Sequence, residues 1–285
     1  MRRRSRQNNL PKVIALSSAI ALGTAGLGYV TLQSMGKPTQ DHFGCYEGFE
    51  QSQTVVLFDV SEPKFNDEQA RSLQRYFKQL YNRLQFNERL SIVTTAEDQV
   101  GSVPKPSFQI CGQPTHVQEL EAIGAEAASQ GFLAKQKQRL FEKILAPALN
   151  EIISPDTESR QRYQSPILEM VAGIRRFHPL NPGDRLVIVS DLIQNSDTVQ
   201  FCRTQNDMPP FSIFQKKAVY GRLKPASLEG IDIDVLMIQR FGYGESDLSF
   251  CYSEEEIRRF WRDYFLANGA ESPEFIRIRH GVIEG

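Results

Sequence analysis

Asp59 and Ser61 stand two residues apart in Val55-Val56-Leu57-Phe58-Asp59-Val60-Ser61, where an unbroken apolar run stops. Asp191 ends a second run, Leu186-Val187-Ile188-Val189-Ser190-Asp191, and Ser165 stands before Pro166 at the start of an apolar stretch. Carboxylate and hydroxyl oxygens are hard donors, so two acids with two hydroxyls suit Mg²⁺ or Mn²⁺. The plainer reading is that Asp59 and Ser61 cap the loop that follows them. Asp59 could also accept a phosphoryl group, as in aspartate-based phosphatases. Those usually carry a second acid two residues on, where this chain has Ser61.

Other reaction chemistry is scarce. His42, His116, His178 and His280 are scattered, and none has the i, i+4 spacing of a zinc-binding helix. The chain has no Gly-x-x-x-x-Gly-Lys phosphate loop and no Gly-x-Ser-x-Gly elbow. Gly242-Tyr243-Gly244 lacks a dinucleotide-binding context and reads as a turn. No catalytic residue is assigned, and the expectation is a protein that is not an enzyme.

The elements that must position Asp59, Ser61, Ser165 and Asp191 alternate between strand and helix. Strands are expected at about Thr54 to Phe58, Arg89 to Thr95, Ser107 to Cys111, Arg185 to Ser190, Ile231 to Ile238 and Phe275 to Ile278. Asn66 with Gln69 and Ser253 with Glu256 have capping-box spacing, and each opens an amphipathic helix. Ser165-Pro166 reads as a cap followed by proline at the first helical position. Gln118 to Ile153 is helical in composition, with breaks expected at Gly131 and near Pro147. The pattern is α/β, three-layered, with a mostly parallel central sheet flanked by helices. Ligands of such sheets bind beyond the carboxyl ends of the strands, where Asp59, Ser61 and Asp191 fall.

Arg2, Arg3, Arg4, Arg6 and Lys12 give +5 in the first twelve residues, so the net charge of −1 leaves the rest at −6. An acidic body argues against nucleic acid as a partner. Val13 to Leu32 follows without a charge, long enough to span a bilayer as a helix. The basic side marks the cytoplasm, which puts the body outside, in the periplasm of a two-membrane cell. The domains expected are a basic cytoplasmic segment (1–12), a transmembrane anchor (13–32), a tether (33–53) and an α/β domain (54–285). The alternative for 13–32 is a signal peptide cut near Gly23-Thr24-Ala25.

Two strand ends and a middle helix thus carry Asp59-Val60-Ser61-Glu62-Pro63, Ser165-Pro166-Ile167-Leu168-Glu169 and Val187-Ile188-Val189-Ser190-Asp191-Leu192. In this order they resemble the von Willebrand factor A-like (integrin I-like) domains. The resemblance covers roughly Thr54 to Arg279. It implies a metal-ion-dependent adhesion site of Asp59, Ser61, Ser165 and Asp191 holding Mg²⁺ or Mn²⁺, completed by a carboxylate from a protein partner. Pro63 stands where the family has a second serine, which removes one direct ligand. Cys111-x-x-Pro114, Ser165-Pro166-Ile167, Ile188 to Ser196 and Phe260-Trp261-Arg262-x-Tyr264-Phe265 resemble a narrower group of small membrane-anchored bacterial proteins, implying a fold and a location rather than an activity. A phosphatase or hydrolase using Asp59, or an envelope subunit with a degenerate metal site, remain the alternatives.

Cys45, Cys111, Cys202 and Cys251 are even in number and widely spaced, as exported disulfides would be. Cys45 precedes the first strand, at the bottom of the sheet. A hairpin through Pro104 and Pro106 would bring Cys111 back there, so the expected pairs are Cys45–Cys111 and Cys202–Cys251.

Overall fold

A computed structural model describes residues 38–49, 51–61, 65–95, 103–125, 128–153, 164–201, 208–239 and 253–279. The basic segment, the 13–32 anchor, Glu62, Pro63 and the expected Cys202–Cys251 bridge lie outside the described residues. Among the described residues no helix is long and apolar enough to cross a membrane.

β1 (Gln53–Phe58) is the centre of a six-stranded sheet. β2 (Arg89–Thr94) and β4 (Arg185–Ser190) flank it, both parallel to it. β5 (Asp232–Ile238) and β6 (Glu274–Ile278) extend one side in parallel, and β3 (Phe108–Cys111) closes the other as the antiparallel partner of β2. The order is β3-β2-β1-β4-β5-β6. The chain therefore winds outward in both directions from β1, and the gap between β1 and β4 is the switch point, where such sheets open a crevice at their carboxyl ends.

Alternate residues of β1 feed two cores, as a strand period of two requires. Val55 and Leu57 join the face covered by α5 (Ile167–Phe177) and α6 (Glu254–Ala267), while Val56 and Phe58 join the face covered by α1 (Asp67–Arg83). Burial on both faces explains the uninterrupted apolar run. The layers are helix, sheet and helix, as the pattern predicts. Both expected capping boxes form, at Asn66 with Gln69 and at Ser253 with Glu256. Trp261, Tyr264 and Phe265 are fully buried core residues of α6.

The region from 117 to 153 differs from expectation. α2 (Val117–Ala122) is short, and α3 (Gln130–Leu140) passes through Gly131 in its first turn. α3 then continues through a π-helical turn, Phe141–Leu145, into α4 (Ala146–Ile153). Pro147 does not break this helix. In a regular α-helix its ring would clash with the Lys143 carbonyl, and the wider turn just upstream relieves that crowding.

The bottom of the sheet is stapled. Cys45 and Cys111 form the expected disulfide, with Cα atoms 5.1 Å apart. Residues 40–48, inside the stretch read as tether, are docked rather than free. The Asp41 carboxylate accepts the Phe43 and Cys45 N–H groups and pairs with Arg89 at 3.1 Å. Asn87, at φ 64°, accepts the Tyr46 N–H at 2.7 Å.

Candidate functional site

Asp59 is the first residue beyond β1 and has no exposed surface. Its N–H adds one more rung to the ladder by donating to the Val189 carbonyl at 2.9 Å. A buried carboxylate is costly unless hydrogen bonds replace its water. Here four donors do so. Oδ1 accepts the Ser61 N–H at 3.0 Å and the Thr95 hydroxyl at 3.1 Å, and Oδ2 accepts the Ser165 and Ser190 hydroxyls, both at 2.7 Å. Two bonds to each oxygen fill the acceptor capacity of the group.

Each donor comes from a different segment, and the sheet register delivers them. Thr95 follows β2; its N–H donates to the Phe58 carbonyl and its hydroxyl oxygen accepts the Val60 N–H at 3.1 Å. Ser190 is the last residue of β4, and its oxygen also accepts the Leu192 N–H at 2.8 Å. Thr95 and Ser190 thus reach Asp59 from the two strands that neighbour β1. Sequence reasoning missed both. The available signal was a hydroxyl residue at the end of each apolar run flanking β1.

Ser165 does not cap α5 as expected, because its hydroxyl is turned to Asp59. Its backbone instead pairs with Asn195 in an isolated antiparallel bridge. The helix start is served from a distance: Gln194, fully buried, accepts the Leu168 N–H through Oε1 at 2.8 Å. Its amide donates to Glu169 at 2.8 Å, and Ser196 donates to the other Glu169 oxygen at 2.6 Å. The start of α5 and the loop after β4 are therefore one hydrogen-bonded unit. Within that loop, buried Leu192 holds φ 66°, a left-handed conformation that costs a branched residue energy.

Of the four residues expected to form a site, Asp59, Ser61 and Ser165 meet directly. Asp191 follows Ser190 at the end of β4 but is half-buried and turned elsewhere, its carboxylate accepting the Ile193 N–H at 2.9 Å. Ser190, one residue earlier, supplies the contact with Asp59. With its acceptor positions full, Asp59 does not fit as a direct metal ligand unless a protein donor leaves. The fit is better for Ser165, whose oxygen keeps lone pairs while its O–H donates to Asp59, and for the half-buried Asp191. Among the described residues no group of three or more His, Cys, Asp or Glu side chains is placed to hold a metal.

No protein-family model matches the chain, and no curated protein matches it. Among solved structures, an aerotolerance-related membrane protein from Bacteroides fragilis NCTC 9343, carrying multiple mutations to serines, aligns with 79% of this chain and 90% of its own. Identity is 12% and the TM-score 0.32, a likeness that carries no argument about fold or function.

Proposed function

We propose that the chain is a non-enzymatic, membrane-tethered module of von Willebrand A-like type, lying outside the cytoplasm and binding a protein partner through the upper end of its sheet. The observation that carries this reading is the Asp59 cage at the switch point, built from the ends of β1, β2 and β4 and the entry to α5. A carboxylate bonded on every side is a scaffold for hydroxyl groups, which supports a binding role over that of nucleophile or base. The tether and the location rest on the arginine cluster and the uncharged stretch 13–32.

A divalent cation here would rest on Asp191 and the hydroxyl oxygens of Ser61 and Ser165, with Asp59 behind them holding the Ser61 backbone and orienting the Ser165 hydroxyl. When bound it would supply an electrophilic centre for a partner's carboxylate. Metal at ten times its Kd adds about 1.4 kcal/mol to stability, a rise in Tm of about 3–5 °C. The full chain should show this rise with Mg²⁺ or Mn²⁺, and Asp191→Ala should remove it. The saturated Asp59 favours a second reading, in which the cage is structural and needs no cation. An unchanged Tm at millimolar metal would establish that reading in place of the first.

A further inference from the structure

The outer surface of α1 carries Arg71, Arg75 and Lys78, one exposed stripe at helical spacing. Among the described residues none of the three has a carboxylate at ion-pair distance, whereas Arg89, Arg185 and Arg277 are all paired. The stripe rims a groove of about 420 Å³ between α1 and α4, and no acidic residue lines it. That volume lies within the range of about 300–1,000 Å³ typical of binding pockets.

The floor of the groove is apolar, formed by Phe141, Ala146 and Leu149. Phe141 and Ala146 are five residues apart and would point about 140° away from each other on a regular α-helix. The π-helical turn, closed by the Ala146 N–H on the Phe141 carbonyl, brings both to one side. The local irregularity in the helix therefore creates the floor. A hydrogen bond of 2.7 Å from Gln74 to Asn150 sets the spacing of the walls.

We infer that this groove docks an acidic amphipathic segment of a partner protein, with its carboxylates on the cationic rim and its apolar side chains on the half-buried Phe141 and Ala146. Among the described residues Lys78 lies 6.0 Å from the centre of the Phe141 ring and Arg75 bonds only to the Ser72 hydroxyl. Cations without a carboxylate partner above an apolar floor are complementary to such a segment, in the manner of a helix laid in a groove. An anionic bilayer is a poorer match, since membrane-inserting surfaces project their apolar residues beyond the basic ones. The site shares no residue with the Asp59 cage and does not depend on it.

The test uses the full chain in detergent and a fluorescein-labelled amphipathic helical peptide with Glu flanks and a Leu/Phe stripe. Saturable, salt-sensitive binding is expected, weakened about tenfold by Arg75→Glu with Lys78→Glu. Ala146→Lys, which fills the floor, should weaken it to a similar degree, and Asp191→Ala should leave it unchanged. Circular dichroism of each variant confirms that the helices persist. The inference is overturned if a Lys-for-Glu peptide binds equally well, or if replacing the Leu/Phe stripe by Ser costs nothing. It is also overturned if the peptide does not bind, or if the cationic stripe instead drives sedimentation with phosphatidylglycerol vesicles.

Discussion

Trp261 of α6 donates its indole N–H to the carbonyl of Leu192 at 2.9 Å, and both residues are fully buried. The bond fastens a left-handed leucine beneath the sheet top, so the helix on one face holds the loop that positions Ser190. Trp261→Phe keeps an aromatic ring but leaves that carbonyl unsatisfied and opens space. A loss of about 2–4 kcal/mol is expected in urea denaturation. A loss under about 0.5 kcal/mol would mean that the bond does not fix the loop.

Asp59 accepts the hydroxyls of three residues that are themselves buried, Thr95, Ser165 and Ser190. Asp59→Ala leaves them without their acceptor and should cost about 3–5 kcal/mol, whereas Ser165→Ala removes one charge-assisted bond and should cost about 1.5–3 kcal/mol. Chemical denaturation gives both values. Equal costs, or a smaller one for Asp59→Ala, would show that the cage is not the centre of the sheet top.

Tyr81 is buried against Phe141, and its hydroxyl has no hydrogen-bond partner among the described residues. Tyr81→Phe removes that unsatisfied group and should stabilise the fold by about 1 kcal/mol. A destabilised variant would reveal a partner for the hydroxyl.

Alkaline pH acts on the same side chain. Burial pushes the Tyr81 phenol up to about 12 from 10.0, and burial also holds Tyr264 well above that value. Both phenols are favoured in their neutral form by folding. The contribution of both is whole below pH 10; that of Tyr81 is lost as pH rises from 10 towards 12, and that of Tyr264 is likewise lost above pH 10. Phenolate absorbance should therefore rise in two stages, the second coinciding with loss of the helical signal. A single titration near pH 10 with the helices intact would contradict this.

The Cys45–Cys111 bridge closes a loop of sequence separation 66. Chain-entropy arguments give such a bridge about 4 kcal/mol. Thermal melts with and without reductant should differ accordingly, and peptide mapping without reduction should also recover a Cys202–Cys251 peptide. Free thiols at all four positions would remove the support that the cysteines lend to export.

The strands were legible because β1 and β4 are buried on both faces and carry unbroken apolar runs, and β2, equally buried, is apolar but for Ser91. The hairpin of β2 and β3, and with it the Cys45–Cys111 pair, followed from the two prolines between them. At the site, Asp59, Ser61 and Ser165 could be read from residue type and order. Thr95 and Ser190 could not, because they matter only as neighbours of β1, which the strand order decides. Nor could the role of Gln194, whose partner Leu168 is 26 residues away and in a different element. Local rules made Ser165 the helix cap; the buried charge of Asp59 was the stronger claim on its hydroxyl.

The bottom staple also decides how the protein responds to tension. Cys45 precedes β1 and Cys111 ends β3, so β1, α1, β2 and β3 all lie within one covalent loop. A pull from the N-terminal side passes through the sulfur bridge and bypasses Asp59. While oxidised, the chain can pay out only what lies outside that loop, and its full extension falls short of the reduced chain's by roughly 220 Å. Under the proposed membrane tether, the half of the sheet that carries Asp59 would be held out of the line of force.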